Sequence, residues 1–82
     1  MTPSLVERNV KHDHLDCKLI GQRAKRMRHA KHLTLETLAE NTRLSVRFIC
    51  YIEAGEKNAS LNSLCKIADE LDISLRFLMF GD

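Results

Sequence analysis

The sequence has no tryptophan, a single proline and only three glycines. So few turn-forming residues argue against a β-sandwich or barrel, whose many tight turns need glycine and proline. No apolar run approaches the roughly 20 residues that a membrane-crossing helix requires. No secretory core follows Met1 either, so the cytoplasm is the expected location. The three cysteines, Cys17, Cys50 and Cys65, are odd in number and widely spaced, which excludes a disulfide framework. Thiols buried as small core hydrophobes in a reducing compartment are expected instead.

What remains is an ordinary globular composition, 44% hydrophobic and 29% charged, in a chain of 82 residues. That length suits one domain with a small core. The net charge of +2 says little, but its distribution says more. From Lys18 to Ile52 eight basic residues (Lys18, Arg23, Lys25, Arg26, Arg28, Lys31, Arg43 and Arg47) face only Glu36 and Glu40. From Glu53 to Asp82 the balance turns acidic. A molecule polarised in this way can turn a favourable face to a polyanion.

Periodicity divides the chain into a loose arm over 1–15 and a helical domain over 16–82. From Asp16 to about Lys31, Leu19, Ile20, Ala24 and Met27 recur at helical steps. Asp16 near the start, and Arg28, His29 and Lys31 near the end, suit the helix dipole. Thr34 then precedes Leu35–Thr42, with Leu38 and Ala39 inward. Ser45 precedes Val46–Ala54, with Ile49 and Ile52 inside and Gly55 as the stop. Ser60 opens a fourth helix with a stripe of Leu64, Ile67, Ala68 and Leu71. Ser74 opens a short fifth containing Leu75, Leu78 and Met79. The hydroxyls at the last four starts can take up orphan backbone N–H groups. The expected fold is all-α, with five helices.

The informative unit spans about residues 34–54. Two helices of about eight residues, joined by some three others, must cross steeply, and the second then stands proud of the first. Such a helix fits a major groove about 12 Å wide. Leu38, Leu44, Ile49 and Ile52 would hold the crossing, leaving Val46, Arg47, Cys50 and Tyr51 on the outer side.

Here the chain resembles a known family. Ile20-Gly21-Gln22-Arg23-Ala24-Lys25-Arg26-Met27-Arg28, the helix pair, Glu53-Ala54-Gly55 and the run from Ser60 to Leu75 are together similar to the phage-repressor/Cro (XRE-like) helix-turn-helix proteins. The likeness extends from about Leu19 to Met79. It implies a five-helix, phage-repressor-like DNA-binding domain whose recognition helix is Val46–Ala54. Val46, Arg47 and Tyr51 would then meet base edges, while Ser45, Lys57 and Asn58 would meet phosphates. Arg28 and Glu53 match a pair that joins the first and third helices by a salt bridge, and Arg28 could also reach a phosphate. Arg47 suits a forked contact to guanine, and Val46 can offer its methyls to thymine. Phe48 reads as half-buried packing.

Three positions depart from the family pattern. Leu35 replaces the usual glutamine, so its backbone contact to DNA is expected to be absent. Arg43 and His32 replace common glycines, so a left-handed or adjusted geometry is expected at Arg43.

Other chemistries fit less well. His12, His14 and Cys17, or His29 with His32, offer metal donors, but without the paired spacing of zinc sites no metal or cofactor is expected. No Gly-rich phosphate loop or pocket-forming architecture supports an enzyme. The apolar character of Val46, Phe48, Cys50 and Tyr51 leaves a protein-binding module or antitoxin as the alternative. The leading expectation is a transcriptional regulator, a repressor by family habit. It would bind a palindromic duplex operator as a homodimer, paired through Leu75, Phe77, Met79 and Phe80.

Overall fold

The structure is a computed structural model that describes residues 16–56 and 59–82. The arm expected over 1–15, with His12 and His14, lies outside the described residues, as do Lys57 and Asn58. The described residues form five helices and no strand. These are α1 (Cys17–Ala30), α2 (Leu35–Thr42), α3 (Val46–Ala54), α4 (Leu61–Leu71) and α5 (Leu75–Phe80).

Each helix starts where a side-chain oxygen accepts an otherwise orphaned amide. Asp16 caps α1 by accepting from the Lys18 and Leu19 amides at 3.0 and 3.2 Å. Thr34, Ser45, Ser60 and Ser74 accept from the amides of Thr37, Phe48, Ser63 and Phe77. A cap of this kind contributes about 1 kcal/mol.

The helix ends share a second device. His32, Arg43, Gly55 and Asp72 adopt left-handed φ angles of 58°, 62°, 75° and 57°. The next residue in each case, Leu33, Leu44, Glu56 or Ile73, donates its amide to a carbonyl five residues back. This is the Schellman closure, in which a reversed backbone satisfies helix carbonyls. A left-handed conformation costs a non-glycine residue about 1–2 kcal/mol. At the three non-glycine reversals the following residue is apolar, and Leu33, Leu44 and Ile73 all pack on the core. That burial offsets the backbone strain.

The core comprises Ile20 and Ala24 of α1, Leu38 and Ala39 of α2, Ile49 and Ile52 of α3, four residues of α4 and Leu78 of α5. The α1 stripe differs from the apolar one expected. Leu19 is 44% exposed, and the inward line runs Ile20, Gly21, Ala24, Arg28. Hydropathy alone selects Leu19 because a glycine and an arginine hold two of the true inward positions. The cysteines also depart from expectation. Cys50 is exposed, and Cys17 and Cys65 are only half-buried. Cys50 and Cys65 each follow an inward residue, Ile49 and Leu64, and so sit off the inward line of their helices, while Cys17 opens the first turn of α1 at the edge of the core.

The short α5 is fastened to α1 by Arg23, whose Nη1 donates to the carbonyls of Leu78 and Met79 at 3.2 and 3.1 Å. A cation there also complements the negative end of the helix dipole. Leu75 and Met79 lie half-buried against the core. Phe77 is half-buried, and Phe80 is 44% exposed.

Candidate nucleic-acid interface

The α2–α3 corner is built by a reversal at Arg43, an anchor at Leu44 and a cap at Ser45. The Leu44 amide donates to the Ala39 carbonyl at 3.1 Å, closing α2. At the next residue the Ser45 hydroxyl accepts the Phe48 amide at 3.0 Å, opening α3. Ile49 and Ile52 are buried, so the opposite side of α3 turns outward. Arg47 and Cys50 are exposed, while Val46, Phe48 and Tyr51 are half-buried. Val46 and Phe48 pack on the core. Ser45, Arg47, Phe48 and Tyr51 line an open depression of about 400 Å³. Within it, Arg47 Nε donates to the Tyr51 hydroxyl at 3.2 Å, and the guanidinium carbon lies 5.7 Å from the Tyr51 ring centre.

The angle of α3 is fixed from the other side. Arg28 Nε donates to Glu53 Oε2 at 2.8 Å, and Nη2 donates to Oε1 at 3.1 Å. Nη1 also donates to the Leu33 carbonyl at 2.9 Å, so one guanidinium ties α1, the α1–α2 turn and α3 together. Both side chains are nearly buried, 8% and 7% exposed. The hydrogen-bonded Glu53 carboxylate raises the Arg28 pKa above its ordinary value, against the lowering effect of burial. Arg28 is therefore an internal brace, and its burial argues against the phosphate contact also expected of it.

Sequence reasoning passed over two residues that position this surface. Gly21 allows α1 to cross the backbone of α3, since a β-carbon there would clash with the Ile52 carbonyl oxygen. Its signal was an isolated glycine inside an amphipathic helix. Arg23 looked like part of a basic surface, but its guanidinium is spent on α5. Of the eight basic residues between 18 and 52, Arg23 and Arg28 thus serve internal contacts. Lys18, Lys25, Arg26, Lys31, Arg43 and Arg47 remain exposed. Leu35, at the start of α2, is half-buried against the core. Among the described residues no three His, Cys, Asp or Glu side chains gather as a metal site would require. No described helix is long and apolar enough to cross a membrane.

This architecture has clear relatives. The helix-turn-helix family model HTH_3 matches residues 23–78. No curated protein sequence matches the chain at a significant level. The restriction-modification controller protein C.AhdI from Aeromonas hydrophila is 40% identical, with a TM-score of 0.74 over 77% of this chain and 96% of that one. SinR, a master regulator for biofilm formation solved in complex with DNA, is 35% identical with a TM-score of 0.69, over 72% of this chain and 95% of that one. A SinR/SinI protein complex gives 34% identity and a TM-score of 0.71, over 73% of this chain and 59% of that one. The chain belongs to the helix-turn-helix (HTH_3) family of DNA-binding transcriptional regulators.

Proposed function

We propose that this regulator is a sequence-specific repressor that binds a palindromic operator as a homodimer. Each protomer inserts α3 into a major groove, and the two recognition helices sit about 34 Å apart, one turn of duplex. The observation that carries this reading is the outward side of α3, where an exposed arginine stands beside a tyrosine over a capped helix start. Val46, Arg47 and Tyr51 form the base-facing set. Ser45, with Lys57 and Asn58, forms the phosphate-facing set that fixes position without reading sequence. Occupying the groove over a promoter excludes polymerase, which makes repression the simplest consequence of binding. The likeness to a restriction-modification controller protein suggests the genes of such a system as the regulated targets. Phe77 and Phe80 supply the outer apolar part of the pairing surface, with Leu75 and Met79 behind them.

Selection of bound sites from a pool of random duplexes tests this reading directly. The expected result is an inverted repeat whose half-sites lie about 10 base pairs apart, centre to centre. Failure to enrich any sequence at low salt would remove the proposal.

A second reading, docking of a protein partner on α3, has its own support. Val46, Phe48 and Tyr51 give that surface apolar area, and one of the similar structures is a SinR/SinI protein complex. Salt separates the two. DNA binding weakens steeply as salt rises because counterion release loses its driving force. An apolar protein contact changes little.

A further inference from the structure

The Arg47–Tyr51 pair does more than share a surface, and we infer that Tyr51 is a positioning residue that holds Arg47 in the geometry that selects guanine. This inference rests on the proposed insertion of α3 into DNA and assigns one base to one side chain. An exposed arginine carries about 2 kcal/mol of rotamer entropy, much of which a single committed geometry must give up. Here that ordering is in place before any ligand arrives. The two residues stand four apart on α3, where helical side chains meet. The Tyr51 oxygen accepts from Nε at 3.2 Å, and its ring lies within cation–π range of the guanidinium.

The choice of atom sets the specificity. With Nε occupied, the two Nη groups are left to make the forked contact, and neither has a protein acceptor among the described residues. Two parallel N–H groups match the paired acceptors O6 and N7 of guanine. Adenine offers one acceptor and one donor on the same edge and so rejects the fork. The nature of the partner matters as well. Tyr51 offers a phenolic hydroxyl in place of a carboxylate, and among the described residues Arg47 forms no ion pair. A carboxylate partner would have to be given up, or left facing phosphates, when DNA bound. A phenol holds the side chain while leaving its whole charge available.

Within the base-facing set the roles of these two residues therefore differ: Arg47 touches the base, and Tyr51, although it faces the groove, acts through Arg47 and not by a base contact of its own. A double-mutant cycle on duplexes obtained from the random pool tests this. Affinities are measured for the best site and for the same site with its Arg47-dependent guanine replaced by adenine. Arg47→Ala should reduce the preference for guanine by roughly 5- to 100-fold. Tyr51→Phe, which keeps the ring and removes the acceptor, should reduce it roughly three- to tenfold at the same base pair and nowhere else. In the Arg47→Ala background, Tyr51→Phe should have no further effect, and thermal melting should show both variants folded. If Tyr51→Phe alters a different base pair, acts undiminished without Arg47, or does nothing, the positioning role is overturned while base reading by Arg47 stands. If Arg47→Ala leaves every base preference intact, base reading by Arg47 and the positioning role both fall.

Discussion

Gly21 of α1 lies against the backbone of Ile52 in α3, so close that a β-carbon at position 21 would clash with the Ile52 carbonyl oxygen and lie 2.6 Å from that of Glu53. The obstacle is backbone rather than a flexible side chain, so relief requires α1 and α3 to separate. In an exposed helix, glycine to alanine would gain about 1 kcal/mol. Here the sign reverses, and Gly21→Ala is expected to destabilise the fold by about 1–3 kcal/mol through overpacking. In a domain of this size the melting temperature should fall roughly 4–8 °C for each kcal/mol lost. A melting temperature that rises would contradict the close crossing of these helices.

Arg28 and Glu53 are separated by 25 positions in sequence and joined by two hydrogen bonds in the fold. Removing one partner leaves the other charged and buried, so Glu53→Leu should cost about 3–5 kcal/mol. Replacing both, Arg28→Met with Glu53→Leu, should recover much of that loss. The raised Arg28 pKa contributes stability that is fully present below its unfolded value and lost only in strong alkali. Urea midpoints of the two single variants and the double variant check the prediction. Additive losses would mean that the pair does not act as a unit.

The left-handed reversals invite a comparison between two positions. Arg43 carries a strain of about 1–2 kcal/mol. Glycine would remove it but take back about 0.4–1 kcal/mol through the freedom of the unfolded chain. Arg43→Gly should thus stabilise the fold by about 0.5–1 kcal/mol. Gly55→Ala should do the opposite, because φ is 75° there and a β-carbon would lie 2.8 Å from Lys18 Cα. Opposite shifts in urea midpoint are the expected outcome.

Much of this fold could be read from the sequence because its signals are local. Thr34, Ser45, Ser60 and Ser74 mark helix starts by chemistry that acts within three residues, and Gly55 marks an end. The left-handed Asp72 carries no such mark, because an aspartate between two helices looks like any polar turn residue. Leu19 misleads for a different reason: the inward line of α1 includes Gly21 and Arg28, which no hydropathy pattern assigns to a core. The candidate site was legible only as a set of residue types on one side of α3. The Arg28–Glu53 pairing came from resemblance, since nothing in local sequence joins two charges so far apart. The hydrogen bond from Arg47 to Tyr51 joins positions four apart on one helix, a spacing that the sequence does display.

The proposed base-facing and phosphate-facing sets predict different kinds of loss. Arg47→Ala should relax the preference at one base pair while leaving affinity for random duplex nearly unchanged. Lys57→Ala should weaken all sequences about equally, and the slope of log affinity against log salt should flatten by roughly one unit. Titrations of a selected site and a scrambled duplex at several salt concentrations distinguish them. Equal losses on both duplexes for Arg47→Ala would place that residue with the phosphate contacts.

Arg23 links the stability of one protomer to the proposed pairing of two. Its guanidinium closes the end of α5 by donating to the carbonyls of Leu78 and Met79, and α5 is only six residues long. An isolated helix of that length does not form, so its geometry depends on Leu78 in the core and on this cap. Arg23→Met keeps an apolar stem against the helix but leaves those two carbonyls without their charged donor. A hydrogen bond of that kind contributes about 1.5–3 kcal/mol, with the lower end expected at a partly exposed site. The amides of α5 should then exchange faster, while those of α2 and α3 keep their protection. If Phe77 and Phe80 form the pairing surface, the variant should also dimerise more weakly, since their presentation requires an ordered α5. Phe80→Ser provides the comparison: it should weaken dimerisation while leaving exchange of the α5 amides nearly unchanged in the monomer. Sedimentation over a range of concentrations, combined with hydrogen exchange, separates the two effects. Unaltered self-association in both variants would rule out α5 as the dimer surface and leave Arg23 with a purely internal role.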